Sequence, residues 1–208
     1  MPNREPGQLI EVFADVVCPF THVGLNRLFA LRRQRHRQDV AIRVRAWPLE
    51  LVNGEPVPRE LLVEEVTDLS QTVAPDLFTA FNSDLFPMTS LPALALAASA
   101  YRTGTHRGEH VSCALRHALF EEGRNISDTT ELLRIVQLAT LDDIRTGEHD
   151  VQADYAEGRE RGVIGSPHFF VGDEGYFCPT LAIERIDGHL SISFDAEGFN
   201  EFIDRCFG

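Results

Sequence analysis

The spacing of hydrophobic and polar positions changes several times along the chain. Residues 8–17, QLIEVFADVV, form a short apolar run rich in β-branched and aromatic side chains and predict a buried strand. In the following stretch, CPFTHVGLNRLFALRRQRHRQ, Phe20, Val23, Gly24, Leu28 and Leu31 fall at helical spacing, and Pro19 suits a first helical position. Arg32, Arg33, Arg35 and Arg37 lie in its last turns, where cations complement the helix dipole, and read as a solvated helix end. From Val40, VAIRVRAWPLEL alternates apolar and charged residues and predicts a second strand ended by Pro48. A turn-rich connector, VNGEPVP, follows.

Residues 59–161 carry an almost wholly helical pattern. Leu91, Leu94, Ala95 and Ala98 share one face, as do Val111, Leu115, Ala118 and Leu119. Asp128 with Glu131 fits a capping box, and Gly162 fits a helix C′ position. The tail returns to strand patterns. VIGSPHFFVGDEGYFCP predicts two strands around a glycine-containing tight turn, and LAIERIDGHLSISF a hairpin around Asp187-Gly188. Phe199, Phe202, Ile203 and Cys206 then share one face of a terminal helix. The order is βαβ, helical block, ββα. It predicts a small α/β domain, residues 1–56 and 162–208, carrying an inserted helical domain, residues 57–161.

Composition narrows the function. A length of 208 residues with 43% hydrophobic content fits an ordinary globular core. The net charge of −13 disfavours a phosphate backbone as partner, so no nucleic acid is expected. No apolar h-region follows a basic start, and the longest apolar helix pattern, LPALALAASAY, stops at Arg102, short of the roughly 18 residues a span requires. The expectation is a cytoplasmic protein with no membrane partner. Cys18, Cys113, Cys178 and Cys206 are scattered, with no C-x-x-C pair and no metal-ligand spacing, so neither a disulfide framework nor a metal is expected.

Cys18 carries the chemical interest. At a strand end and a helix start, its sulfur lies near unpaired backbone N–H groups, which favour the thiolate, the nucleophilic form. Thr21, one turn on, stands where a C-x-x-C pair has its second thiol; its hydroxyl can donate to the sulfur but cannot resolve a disulfide. Ser166-Pro167 precedes a strand, where the residue before proline is held extended and its backbone groups are available to a substrate. Asp15 either accepts a proton near the thiol or orders the turn. His22 and His168 either act on the thiolate as cations or proton relays, or pack. Cys113 and Cys206, at helical spacing among apolar residues, read as core, and Trp47 as core or cleft lining.

These motifs carry a family resemblance. FADVVCPFTHVG resembles the D-x-x-C-P-W-C-[YH]-x-G stretch of the DsbA-like thioredoxin superfamily, particularly its FrnE-like branch. RAWPLEL is similar to that branch's R-P-F-x-L, and GVIGSPHFFV to its G-V-x-G-[VT]-P-x-F-x-[VI] loop before the cis-proline strand. The resemblance implies a thioredoxin-like fold with an all-helical insertion. It also implies a nucleophilic Cys18, with Pro19, Phe20, His22, Ser166, Pro167 and His168 as substrate-facing residues. In that fold the strand after the cis-proline strand ends near the active-site helix. Cys178 is therefore either a resolving thiol for Cys18 or a core cysteine.

The departure is Thr21. Kappa-class glutathione transferases and 2-hydroxychromene-2-carboxylate isomerases share the fold and carry serine at the position of Cys18. Three functions follow from the resemblance. The first is a monothiol thiol–disulfide oxidoreductase acting on a small-molecule or protein thiol or disulfide, with no tightly bound cofactor. The second is a transferase or isomerase using glutathione or another low-molecular-weight thiol. The third is a redox-inactive binding protein.

Overall fold

The computed structural model describes residues 8–137, 139–186 and 189–208. The first strand, β1 (Leu9–Ala14), has Ile10, Val12, Phe13 and Ala14 fully buried, because it lies inside a sheet covered on both faces. It pairs in parallel with β2 (Ala41–Ala46), Leu9 opposite Ala41, and antiparallel with β3 (His168–Val171), Ile10 opposite Val171. The fourth strand, β4 (Glu174–Phe177), folds back on β3 through Gly172-Asp173, which makes the sheet order β2-β1-β3-β4. The crossover from β1 to β2 is α1 (Pro19–Gln34), completing the predicted βαβ unit. On one face α1 and the last helix, α8 (Ala196–Phe207), close a cluster of Val12, Leu28, Phe169, Phe202 and Cys206. Aromatic residues Phe13, Trp47 and Phe170 fill the other.

Between β2 and β3 lie α2 (Leu49–Asn53), α3 (Arg59–Gln71), a 3-10 turn (Ser83–Leu85), α4 (Leu91–Arg102), α5 (Thr105–Phe120), α6 (Thr129–Ile135) and α7 (Leu141–Glu160). Three of these helices grip the free edge of β2 by side chains. The N–H groups of Ile42, Val44 and Ala46 donate to Glu109 of α5, Tyr101 of α4 and Asp154 of α7 at 2.9, 3.0 and 3.0 Å. Every second edge donor thus has a partner, and the edge is closed to pairing with another chain.

The helical pattern was over-extended at several places. Residues 72–90 form turns apart from the 3-10 segment, consistent with Pro75 and Pro87. After Pro48 the chain enters the short helix α2, where the alternating pattern had suggested only a strand end. Asp128 caps α6, accepting from the N–H groups of Thr130 and Glu131, but Glu131 turns to Arg124 and leaves that box half-made. The reciprocal box is instead Thr140 with Asp143 at the start of α7. Gly162 follows the end of α7 with φ +71, as a C′ residue does. Strands β5 (Leu181–Ile186) and β6 (His189–Phe194) pair antiparallel as a separate hairpin, whose expected turn, Asp187-Gly188, lies outside the described residues.

Arg32 also differs from the expected solvated helix end. Its guanidinium donates twice to the Glu109 carboxylate, at 2.8 and 2.7 Å, with only 12% of the side chain exposed. Two nearly buried partners in fork geometry tie the end of α1 to α5. Cys206 is fully buried, as expected, and Trp47 is core, whereas Cys113 is only partly buried, at the wall of a cavity.

The helical layer is closest where α7 crosses α4. A Cβ added at Gly147 would stand 1.9 Å from the carbonyl oxygen of Ala95, an immovable backbone atom. Gly147→Ala should therefore lower stability by about 1–3 kcal/mol through overpacking, read as a fall in the urea midpoint at unchanged slope.

Candidate active site

The turn after β1 is built on Asp15. Its backbone carbonyl accepts from the N–H of Cys18 at 3.4 Å, and its carboxylate accepts from the N–H groups of Val17 and Leu49 at 3.2 and 2.7 Å. Ser90 Oγ, at the start of α4, donates to the same carboxylate at 3.0 Å, and the buried Arg116 of α5 donates to the Asp15 carbonyl at 3.1 Å. Burial pushes the Asp15 carboxyl up to about 6, while these donors and the Arg116 charge hold it down. Asp15 thus orders the turn, and every oxygen it offers is occupied.

That turn delivers Cys18 as the N-cap of α1, with Pro19 at the first helical position. The thiol does not cap the helix. Its Sγ donates to the backbone carbonyl of Ser166 at 3.1 Å, immediately before the cis Ser166–Pro167 peptide. Ser166 Oγ accepts from the Asp15 N–H at 3.0 Å and shares a hydrogen bond with Thr21 Oγ1 at 3.0 Å. Thr21 therefore points at the serine that faces the sulfur. On the other side, the N–H of Cys178 donates to the carbonyl of Pro167 at 3.0 Å. The two thiols, both free, flank the Ser166–Pro167 segment.

Electrostatics differ from the expectation for a helix start. Cys18 is 3% exposed, and burial pushes its thiol up to about 11. The nearby hydroxyls of Ser166 and Thr21 and the Thr21 N–H favour the thiolate and pull it down, and the Glu65 carboxylate pushes it further up. Desolvation outweighs the helix terminus even though the buried Arg116 guanidinium acts on the sulfur through space. Burial likewise pushes Cys178 up to about 12, with the nearby Cys18 adding to it and Arg27 opposing. Cys178 also holds a left-handed backbone conformation, φ +43, which non-glycine residues adopt rarely.

Two cavities flank the start of α1. The smaller, about 160 Å³, opens at the thiol and is lined by Cys18, Pro19, Phe20, Leu61, Glu65 and Ser166 among others. The larger, about 870 Å³, lies between α1 and α5 and does not reach Cys18. His22 lines this second cavity. Its Nε2 lies 2.7 Å from Glu121, and burial lowers its pKa against the opposing pull of that carboxylate. His168 stacks on Phe170 at 4.6 Å and is also lowered by burial. The structure therefore brings together Cys18, Pro19, Phe20, Thr21 and Ser166, with Pro167 and Cys178 beside them, but leaves His22 and His168 outside the thiol cavity. Glu65, Ser90 and Arg116 joined this neighbourhood without any sequence signal, since they come from three different helices of the helical block.

Among the described residues no cluster of three or more His, Cys, Asp or Glu side chains could hold a metal ion, and no helix is long and apolar enough to cross a membrane. A thiol at the first helix start of a βαβ unit, facing a proline loop that enters an antiparallel strand, defines a thioredoxin-fold protein with a helical insertion. The chain belongs to the DSBA-like thioredoxin family, whose domain model matches residues 9–191, a family of thiol–disulfide oxidoreductases. Among solved structures it resembles the cytosolic disulfide reductase DsbM from Pseudomonas aeruginosa. The two are 16% identical with a TM-score of 0.60, over 95% of this chain and 94% of that one. The same reductase solved with GSH gives a TM-score of 0.62 at 16% identity, over 81% of this chain and 88% of that one. A 2-hydroxychromene-2-carboxylate isomerase is 17% identical with a TM-score of 0.54, over 81% and 88% of the two chains. At these identities the likeness is one of fold. A comparison with curated proteins found no match.

Burial of Cys18 predicts its alkylation profile. The rate of carbamidomethylation at Cys18, followed by peptide mass spectrometry, should rise with a midpoint near 11, above an ordinary thiol. A midpoint below the usual thiol range would show that the helix start dominates instead.

Proposed function

We propose that the protein is a monothiol thiol–disulfide oxidoreductase in which Cys18 is the nucleophile. The observation that carries this reading is the position of its sulfur, at the start of α1 and hydrogen-bonded to the carbonyl that precedes Pro167. In the first step the Cys18 thiol and a disulfide R–S–S–R′ give Cys18–S–S–R and R′–SH, the thiol proton passing to the leaving sulfur. In the second a thiol R″–SH attacks the mixed disulfide, restoring Cys18–SH and releasing R–S–S–R″. Glutathione or another low-molecular-weight thiol is the reductant class, and the small-molecule or protein disulfide is the substrate. Pro19, Phe20 and the Ser166–Pro167 backbone meet the bound chain, while Thr21 holds Ser166 in place.

The raised thiol slows this chemistry without abolishing it. A pKa of about 11 leaves about a hundredfold less thiolate than an ordinary thiol has, but each thiolate is roughly eightfold more nucleophilic on a Brønsted slope of about 0.45. Exchange is then about tenfold slower than at a free cysteine, and the resting thiol is correspondingly protected from over-oxidation. Cys178 is the candidate resolving thiol. Its support is its place across the Pro167 carbonyl, its electrostatic coupling to Cys18, and a strained backbone that a side chain of no consequence would not require.

One observation favours a second reading. Because burial keeps Cys18 protonated, it can donate a hydrogen bond to a bound thiolate, as a hydroxyl would. In that case the protein is a glutathione- or thiol-dependent transferase or isomerase of the kappa-class type.

Substitution separates the two. With glutathione disulfide as probe, wild type should gain one glutathionyl group at Cys18 by intact-mass and peptide mass spectrometry. Cys18→Ala should gain none, and Cys178→Ala should hold the mixed disulfide longer. Thr21→Cys, which supplies the second thiol of a C-x-x-C pair, should raise insulin-disulfide reduction by about tenfold or more. Absence of any Cys18 adduct, with transferase activity preserved in Cys18→Ser, would overturn the redox reading.

A further inference from the structure

The cavity at Cys18 contains one feature that thiol exchange alone does not require. Among the described residues its polar lining, apart from the cysteine, Asn53 and Ser166, is Glu65, from the middle of α3; the remaining walls are apolar, with no Arg or His. Glu65 makes no hydrogen bond or ion pair with any described residue. Its neighbours explain why. Arg185 of β5, whose charge acts on it, is engaged with Glu64 at 3.0 Å, and Glu64 itself repels Glu65. A desolvated carboxylate without a counter-charge is costly, and such groups are usually paired.

We infer that Glu65 forms a cation subsite beside Cys18, selecting disulfides and thiols that carry an ammonium group a few bonds from the reacting sulfur over those that carry a carboxylate. This rests on the reading of Cys18 as the reacting thiol. The volume of about 160 Å³ is well below the roughly 300–1,000 Å³ of sites for drug-sized ligands, so it suits a short arm such as an aminoethylthio group. The subsite also acts on the thiol. Burial, with Glu64 adding and Arg185 opposing, pushes Glu65 up to about 7, and its charge in turn disfavours the Cys18 thiolate. An ammonium between them neutralises the carboxylate and favours the thiolate, so the cation that is selected also activates the sulfur that attacks it. Exchange with the diammonium disulfide cystamine gives Cys18–S–S–CH2CH2–NH3+ and one equivalent of cysteamine, with the Cys18 proton on the released thiol.

Three disulfides of similar size separate charge from reach: cystamine, bis(2-hydroxyethyl) disulfide and 3,3′-dithiodipropionate. Adduct formation at Cys18 is followed by peptide mass spectrometry at mildly alkaline pH, each rate divided by that of the same disulfide with free N-acetylcysteine. Cystamine should exceed dithiodipropionate by on the order of tenfold or more in wild type. The carboxylate is charged only above its titration, so this preference should fade as pH falls below about 7. Glu65→Gln should bring the ratio towards one, and Glu65→Asp should keep most of it. A wild-type ratio near one, or a ratio unchanged in Glu65→Gln, overturns the subsite while reaction with the neutral disulfide leaves Cys18 as the nucleophile. No adduct at Cys18 with any of the three overturns both.

Discussion

The structure around the thiol depends on one buried carboxylate. Asp15 receives hydrogen bonds from Val17, from Leu49 at the start of α2 and from Ser90 at the start of α4. Its backbone meets Arg116 of α5, Cys18 and Ser166. A single residue therefore joins the end of the central strand to α2, to two helices of the inserted block and to the proline loop. Burying a carboxylate is expensive, and burial pushes Asp15 up to about 6 despite the donors around it. The donors that surround it are what fix the direction in which α1 leaves the sheet, and with it the position of the Cys18 sulfur.

The inserted helices do more than cover the sheet. Glu109, Tyr101 and Asp154 occupy the edge donors of β2, and Arg32 binds Glu109 from the opposite side. The same carboxylate of Glu109 thus serves both β2 and α1, which couples the two ends of the βαβ unit to α5. Across the start of α1, the block supplies a small thiol cavity on one side and a large cavity on the other. The larger space lies with His22 and Glu121 and away from the Cys18 sulfur. The smaller cavity holds the Cys18 thiol and the Glu65 carboxyl group, which has no hydrogen-bond partner among the described residues.

Much of the fold was legible in linear patterns. Alternation in residues 40–46 marks β2, helical spacing from Phe20 to Leu31 marks α1, and the stripe Phe199, Phe202, Ile203, Cys206 marks α8. Each of these segments buries a face against a single layer, so its period records its environment. The pattern misled where backbone needs outweighed period. Residues 72–90 run as turns between helices, and Asp128 found only half of its capping box because Arg124 claims Glu131. Arg32 looked like a solvated helix end because its partner, Glu109, is far away in sequence.

By itself the sequence determined the order of elements, the cysteine at the first helix start, the proline before β3 and the absence of a second thiol at Thr21. These are local facts, set by residue type and spacing. Only the tertiary structure decided that Cys18 is buried and protonated, that Thr21 faces Ser166, that His22 belongs to another cavity and that Glu65 stands beside the thiol. Each of those depends on which distant helix lies against α1. Desolvation and charge act through space over a few ångströms, and residues 47 or 148 positions apart in the chain become neighbours only when the layers close.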